Sequence, residues 1–354
     1  MPDGIKGLLL TALLLLSGSL RADPLQTLFG HWQLTCTNLN ACVVRSVPGD
    51  RGLVMTLSRQ AGIHDAPTLR LDYGSAFTGP LRGEALADTL LLDGRRLQID
   101  LKHWQVQPHH LHTHHAIAIS EFLAQMMAAD SLQMTWQPEA AFRLDGLAAA
   151  LAELDRQQGR AGSLSAWVSR GPRGATALAP MPRAPEVWQV RNAAPPLSPQ
   201  ERRGLIDFGS WRVNTDGCSL DPLSRAVTIA PLTAAKALLL VSCEKGAYNT
   251  VSLGWEVSRR PPYVARDISL RLPFTPPGHG DRHLELINAG YDAVSSQLST
   301  AASGRGLGDC GWRARWQFNG KTFVLADYAA QSACDSWQGS RDWPPLWQTR
   351  AVSD

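Results

Sequence analysis

WRARWQF, residues 312 to 318, decides how the chain is read, because Trp312, Ala314, Trp316 and Phe318 fall on every second position. A period of two marks a strand with one face in a core and the other toward polar surroundings. The same period recurs at Val251, Leu253, Trp255, Val257 and at Ile268, Leu270, Leu272, Phe274. In the first half it returns at Leu53, Met55, Leu57, at Leu69, Leu71, Tyr73 and at Leu97, Ile99, Leu101. Ala237 to Val241 is apolar throughout, which predicts a central strand. Antiparallel sheets are therefore expected in both halves.

Helical spacing occurs twice. Phe122, Leu123, Met126 and Met127 form one apolar stripe, and Leu147, Ala150, Leu151 and Leu154 form another, opened by Asp145 and stopped by Gly159. The expected fold class is α+β with two disulfide-containing domains. The first is antiparallel β with two closing helices; the second is mainly β, a sandwich or barrel. FGHWQL (Phe29 to Leu34) is echoed by FGSWRV (Phe208 to Val213), which predicts two related halves. Between them Pro180, Pro182, Pro185, Pro195, Pro196 and Pro199 predict a stiff linker. The expected division is a leader over 1–22, a first domain over 23–182, a linker over 183–203 and a second domain over 204–354.

The start of the chain sets the compartment. Lys6 precedes the apolar run Leu8 to Leu16, followed by Ser17, Gly18, Ser19 and then Leu20, Arg21, Ala22, the order of a cleaved secretory signal peptide. The run is shorter than the ~20 residues that span a bilayer, and no later stretch reaches that length, so no transmembrane segment is expected after cleavage. Six cysteines in an exported chain predict three disulfides, and sequence-local loops favour Cys36 with Cys42, Cys218 with Cys243 and Cys310 with Cys334. The formal charge of +3 falls to +2 when Lys6, Arg21 and Asp3 leave with the leader. A nearly neutral chain without a basic run has no footprint for nucleic acid.

HHLHTHH, His109 to His115, holds five of the ten histidines. If its strand continues through Ile117 and Ile119, Leu111 faces the core and His110, His112 and His114 share the outer face. Strand rise separates His110 from His114 by ~13 Å, whereas zinc to imidazole bonds are ~2.1 Å. One ion cannot take all three, but adjacent pairs completed by His103, a carboxylate or water offer a zinc or copper site. His109, His110, His112, His114 and His115 are the candidate ligands; the plain alternative is an exposed polar strand edge.

GLGDCG (Gly306 to Gly311) has dinucleotide spacing, yet SSQLSTAASGR before it is no hydrophobic strand and WRARWQF after it is no helix. A tight crosslinked turn is expected instead, with Arg305 and Asp309 pairing or facing a partner. SCEK (Ser242 to Lys245) has the serine–lysine spacing of penicillin-binding proteins without the companion motifs. Of the twelve tryptophans, Trp312 and Trp316 are expected in the core, and Trp343 and Trp347 in WPPLW at an exposed partner or glycan surface.

RLDGLAAALAELDRQQGRAGSLSAWVSRG (Arg143 to Gly171), VSCEKGAYN (Val241 to Asn249) and GRGLGDCGWRARWQFNGKTF (Gly304 to Phe323) resemble the domain-of-unknown-function family eleven seventy-six of exported Gram-negative proteins. The likeness covers nearly the whole chain after the leader; it implies a periplasmic or secreted location and carries no activity or cofactor. The first half is also similar to the invasion-associated locus B family, through FGHWQLTC and its short cysteine pair, Ser58–Arg59 and the closing GLAAAL helix. That likeness implies an envelope or surface binding role, with no catalytic residues to transfer. The expected function is a non-catalytic binding module with an envelope protein or glycan as partner. The alternatives are a periplasmic zinc or copper binder using the histidines, or an envelope hydrolase with an unrecognised site.

Overall fold

The computed structural model describes residues 22–47, 52–63, 66–73, 86–107, 110–135, 137–189, 194–215 and 217–353. The expected leader lies outside these residues except for Ala22. Among the described residues no helix is long and apolar enough to cross a membrane.

The first half is built on a seven-stranded antiparallel sheet in the spatial order Leu25–Phe29, Trp32–Cys36, Cys42–Ser46, Leu53–Arg59, Thr68–Tyr73, His110–Thr113, Gln105–Gln107. From its inner face Trp32, Leu34, Val44, Met55, Leu57 and Leu111 meet Phe122 and Met126 of the Ala116–Met127 helix and Leu151 and Leu154 of the Leu147–Gln157 helix in one core. A four-stranded sheet adds Leu90, Leu132 and Met134 to that core. Two expectations fail here. Ile117 and Ile119 belong to a helix, which starts at once because the His115 imidazole caps it by accepting the Ala118 N–H. Leu97 to Leu101 forms no strand, since the Asp100 carboxylate accepts the Lys102 N–H and turns the chain into a single 3-10 turn.

The second half is a β-sandwich with a helix on its outer side. One sheet holds Val227–Pro231, Lys236–Lys245, Thr250–Ser258 and Ala265–Asp267, with Leu286–Ile287 joined to Thr250–Ser258; the other runs Gly290–Asp292, Gln297–Ser303, Gly311–Phe318, Phe323–Gln331, Pro345–Gln348. Leu238, Leu240, Trp312, Trp316, Phe318 and Tyr328 fill the space between the sheets. Ala237, Leu239 and Val241 leave the opposite face and pack under the Pro199–Thr215 helix with Leu205 and Val213. Covering both faces is why this strand is apolar at every position.

The same helix overturns the expected repeat of halves. FGHWQL forms a hairpin, Leu25–Phe29 with Trp32–Cys36, whereas FGSWRV lies inside the helix. Its start is fixed by a reciprocal cap: the Glu201 N–H donates to Ser198 Oγ at 3.2 Å and the Ser198 N–H donates to Glu201 Oε2 at 2.8 Å, with Pro199 at the first helical position. Within the proline-rich stretch, Glu186–Trp188 pairs in parallel with Arg350–Val352.

The two halves meet along a polar seam. Trp32–Cys36 is buried on both faces, and Gln33 and Thr35 point away from the apolar core. Gln33 and Gln331 exchange amide hydrogen bonds of 3.1 Å, and Gln26 donates to the Ala330 carbonyl at 2.9 Å. Asn38 accepts the Gln348 N–H at 2.8 Å and donates to the Gln348 carbonyl at 2.9 Å. Arg45 pairs with the fully buried Asp335 and donates to Gln338 Oε1 at 2.8 Å.

A close approach of backbones closes the first core. Gly146, at φ +93°, precedes the Leu147–Gln157 helix, and a Cβ there would stand 2.0 Å from the Phe29 carbonyl oxygen. Gly94 also has positive φ, +76°, but open space around it. Gly146→Ala is therefore predicted to cost more than the ~1–3 kcal/mol of left-handed strain alone, and Gly94→Ala no more than that. Urea unfolding midpoints of the two variants check the difference; equal shifts would contradict it.

Candidate functional site

The crosslinked corner of the sandwich is built by two loops. Gly304 to Gly311 and the segment after Gln331 are joined by Cys310–Cys334, while Cys36–Cys42 staples a hairpin and Cys218–Cys243 ties the turn after the Pro199–Thr215 helix to a central strand. Arg305 donates to both oxygens of Asp309, at 2.8 and 2.6 Å, and to Ser336 Oγ, and the Ser336 N–H donates to Asp309. The Arg305 fork, helped by the Ser336 N–H, holds the Asp309 carboxyl down at about 2. Burial pushes the Asp335 carboxyl up, against the pull of Arg45 and the Trp337 N–H. Carboxyls driven apart in this way are the pattern of acid–base pairs. Here both side chains have no exposed surface and are saturated by arginines, so a substrate does not reach them.

The long motif from Arg143 to Gly171 has a similar structural use of charge. Asp155, fully buried, accepts the N–H groups of Trp167 at 2.7 Å and Val168 at 3.0 Å, and Arg59 lies 4.7 Å from the centre of the Trp167 ring. These contacts fasten the loop after the helix to the sheet.

His109 lies outside the described residues. His110 and His112 stand on the outer face of their strand, half-buried, with Leu111 and Thr113 inside. The His110 and His112 rings are 5.4 Å apart, and those of His112 and His114 5.7 Å. His114 is taken by Thr68 Oγ1 at 3.0 Å, and His115 by the helix cap and by stacking on His103 at 3.9 Å. Among the described residues no three histidine, cysteine, aspartate or glutamate side chains are placed to hold one metal ion. The strand therefore offers a ladder of imidazoles, from which only neighbouring pairs share space.

The expected exposure of the WPPLW tryptophans is corrected. Trp343 is 2% exposed and its ring lies over Gly311; Trp347 is 7% exposed and stacks on Phe274 at 5.7 Å. Pro345–Gln348 is a sheet strand, which turns Leu346 and Trp347 into core residues despite the prolines before them. Among the described residues the exposed indoles are those of Trp188 and Trp211.

Two concave surfaces among the described residues bear on a site. A cleft of about 190 Å³ opens on the seam between Thr35, Arg45 and Thr56 on one side and Gln338, Asp342 and Pro345 on the other. A larger groove, about 500 Å³, lies at the mouth of the sandwich. Leu272, Phe323, Leu325 and Trp347 make its floor, Pro185 to Val187 one wall, and Arg271 and Arg282 line it as well. Glu186 on the wall is neutralised by Arg350. The alternation of Leu270, Leu272 and Phe274 marked the floor in the sequence, but nothing there marked Arg271 and Arg282, which read as ordinary outward residues.

A family model described as "Protein of unknown function (DUF1176)" matches residues 26–350. The chain is 44% identical over 329 residues to "Uncharacterized protein YpfG" of Escherichia coli (strain K12), a match covering 93% of this chain and 94% of that one. No solved structure matches.

Asp309 gives the corner a pH signature. Its folded value of about 2 lies below the ordinary carboxylate range, so its ionised form stabilises the fold above about pH 4, and that contribution is lost as pH falls from about 4 toward 2. Asp309→Asn is predicted to cost about 2 kcal/mol at neutral pH and to flatten the stability profile over that window. Denaturant unfolding at several pH values checks this; parallel profiles for the two proteins would refute it.

Proposed function

The chain belongs to the family described as Protein of unknown function (DUF1176), and we propose that it serves as a non-catalytic binding module of the cell envelope. The observation that carries this reading is the groove at the sandwich mouth. At about 500 Å³ it has the size of small-molecule sites, and its floor is aromatic and aliphatic with few polar groups, the usual composition of such sites. Trp347 is fixed there by its stack on Phe274, so the floor is shaped before any ligand arrives.

Location supports the same reading. The apolar leader with small residues at its end and three disulfides both favour an oxidising compartment outside the cytoplasm. A rigid, crosslinked scaffold with a preformed groove suits capture of a ligand better than a moving catalytic cycle. Asp309 and Asp335, two carboxylates set apart in their ionisation, are consumed in fastening loops.

The test uses the protein exported with its own leader to a bacterial periplasm. Native mass spectrometry is expected to show a small molecule held at one per chain, and Val324→Trp, which fills the groove from a half-buried lining position, to abolish it. A bare chain, or a ligand retained unchanged by Val324→Trp, would overturn the proposal.

A further inference from the structure

Two side chains of the groove have no use in holding the fold together. Arg271 and Arg282 are exposed, and among the described residues neither is paired with a carboxylate; Arg282 makes one long contact, 3.4 Å, to Thr275 Oγ1. The nearby acids are committed elsewhere, Glu186 to Arg350 and Asp281 to His283.

We propose that the groove takes a single-chain amphiphile with an anionic head, a fatty-acid-like carboxylate; this rests on the reading of the groove as a ligand site. The alkyl chain would lie over Leu272, Phe323 and Leu325, where apolar area leaves water. The carboxylate supplies what the groove lacks: negative charge for the two guanidiniums, which bind carboxylates well as planar forks. A neutral amphiphile would satisfy the floor and leave the arginines unused. A cationic one would be repelled.

The experiment is titration of the full exported chain, stripped of bound lipid, with myristate, myristyl alcohol and myristyl trimethylammonium below their aggregation limits, read by calorimetry. Myristate is expected to bind one per chain, roughly tenfold or more tighter than the alcohol. Arg271→Gln combined with Arg282→Gln, both surface changes, should remove that advantage while leaving the alcohol's affinity unchanged. Equal binding of acid and alcohol, both blocked by Val324→Trp, would overturn the anionic head and leave the ligand groove standing. No binding of any of the three, while the exported chain carries a different molecule blocked by Val324→Trp, would overturn the amphiphile. No binding and no carried molecule would overturn both readings.

Discussion

Strand Trp32–Cys36 is buried on both faces, and only one of those faces is apolar. Burying the other, with its glutamine and threonine side chains, is unfavourable unless each polar group finds a partner. The second half of the chain supplies those partners: the Gln331 amide for Gln33, the Ala330 carbonyl for Gln26, and Asp335 for the guanidinium of Arg45 on the adjacent strand. A seam of this kind adds modest net stability for its area, because desolvation offsets much of each interaction. What it adds is registry: amides that must be exchanged in pairs fit in one alignment only.

That alignment reaches the groove. Asn38, just beyond the seam strand, holds the backbone of Gln348 on both its N–H and its carbonyl, and its own N–H donates to the Leu346 carbonyl. Pro345–Gln348 is thus gripped on one side by its sheet and on the other by the first half, and Trp347 is placed between. The chain then continues into Arg350–Val352, which carries the Glu186–Trp188 strand that walls the groove. Residues more than three hundred positions apart in sequence set the same floor.

Much of the fold is legible in the sequence because it follows from periodicity. The alternation of Trp312, Ala314, Trp316 and Phe318 and the unbroken Ala237 to Val241 run describe their burial faithfully. The Pro199–Thr215 helix went unread because FGSWRV echoed a hairpin, although SPQE before it is a capping signal with a clear mechanism. Leu97 to Leu101 shows the opposite failure, a true alternation cancelled by one aspartate bonding its own backbone. The candidate site was far less legible. WPPLW suggests an irregular exposed tail, and only pairing with Asp327–Ala329 makes it a strand. That Arg271 and Arg282 meet no carboxylate among the described residues is a property of three-dimensional neighbours, which no local pattern encodes. In the histidine tract Leu111 faces the core although the strand ends at Thr113, and its stacks and hydrogen bonds depend on His103 and Thr68, which reach it only through the fold.

The seam and the groove strand act as one unit. Hydrogen–deuterium exchange, resolved by peptide, on the wild type and on Asp335→Asn is the direct test. Loosening the Arg45 pair should lower protection together in residues 33–46, on the first-half side, and in residues 345–352, which hold Trp347. Loss confined to residues 331–338, with 345–352 as protected as in the wild type, would show that the groove does not depend on the seam.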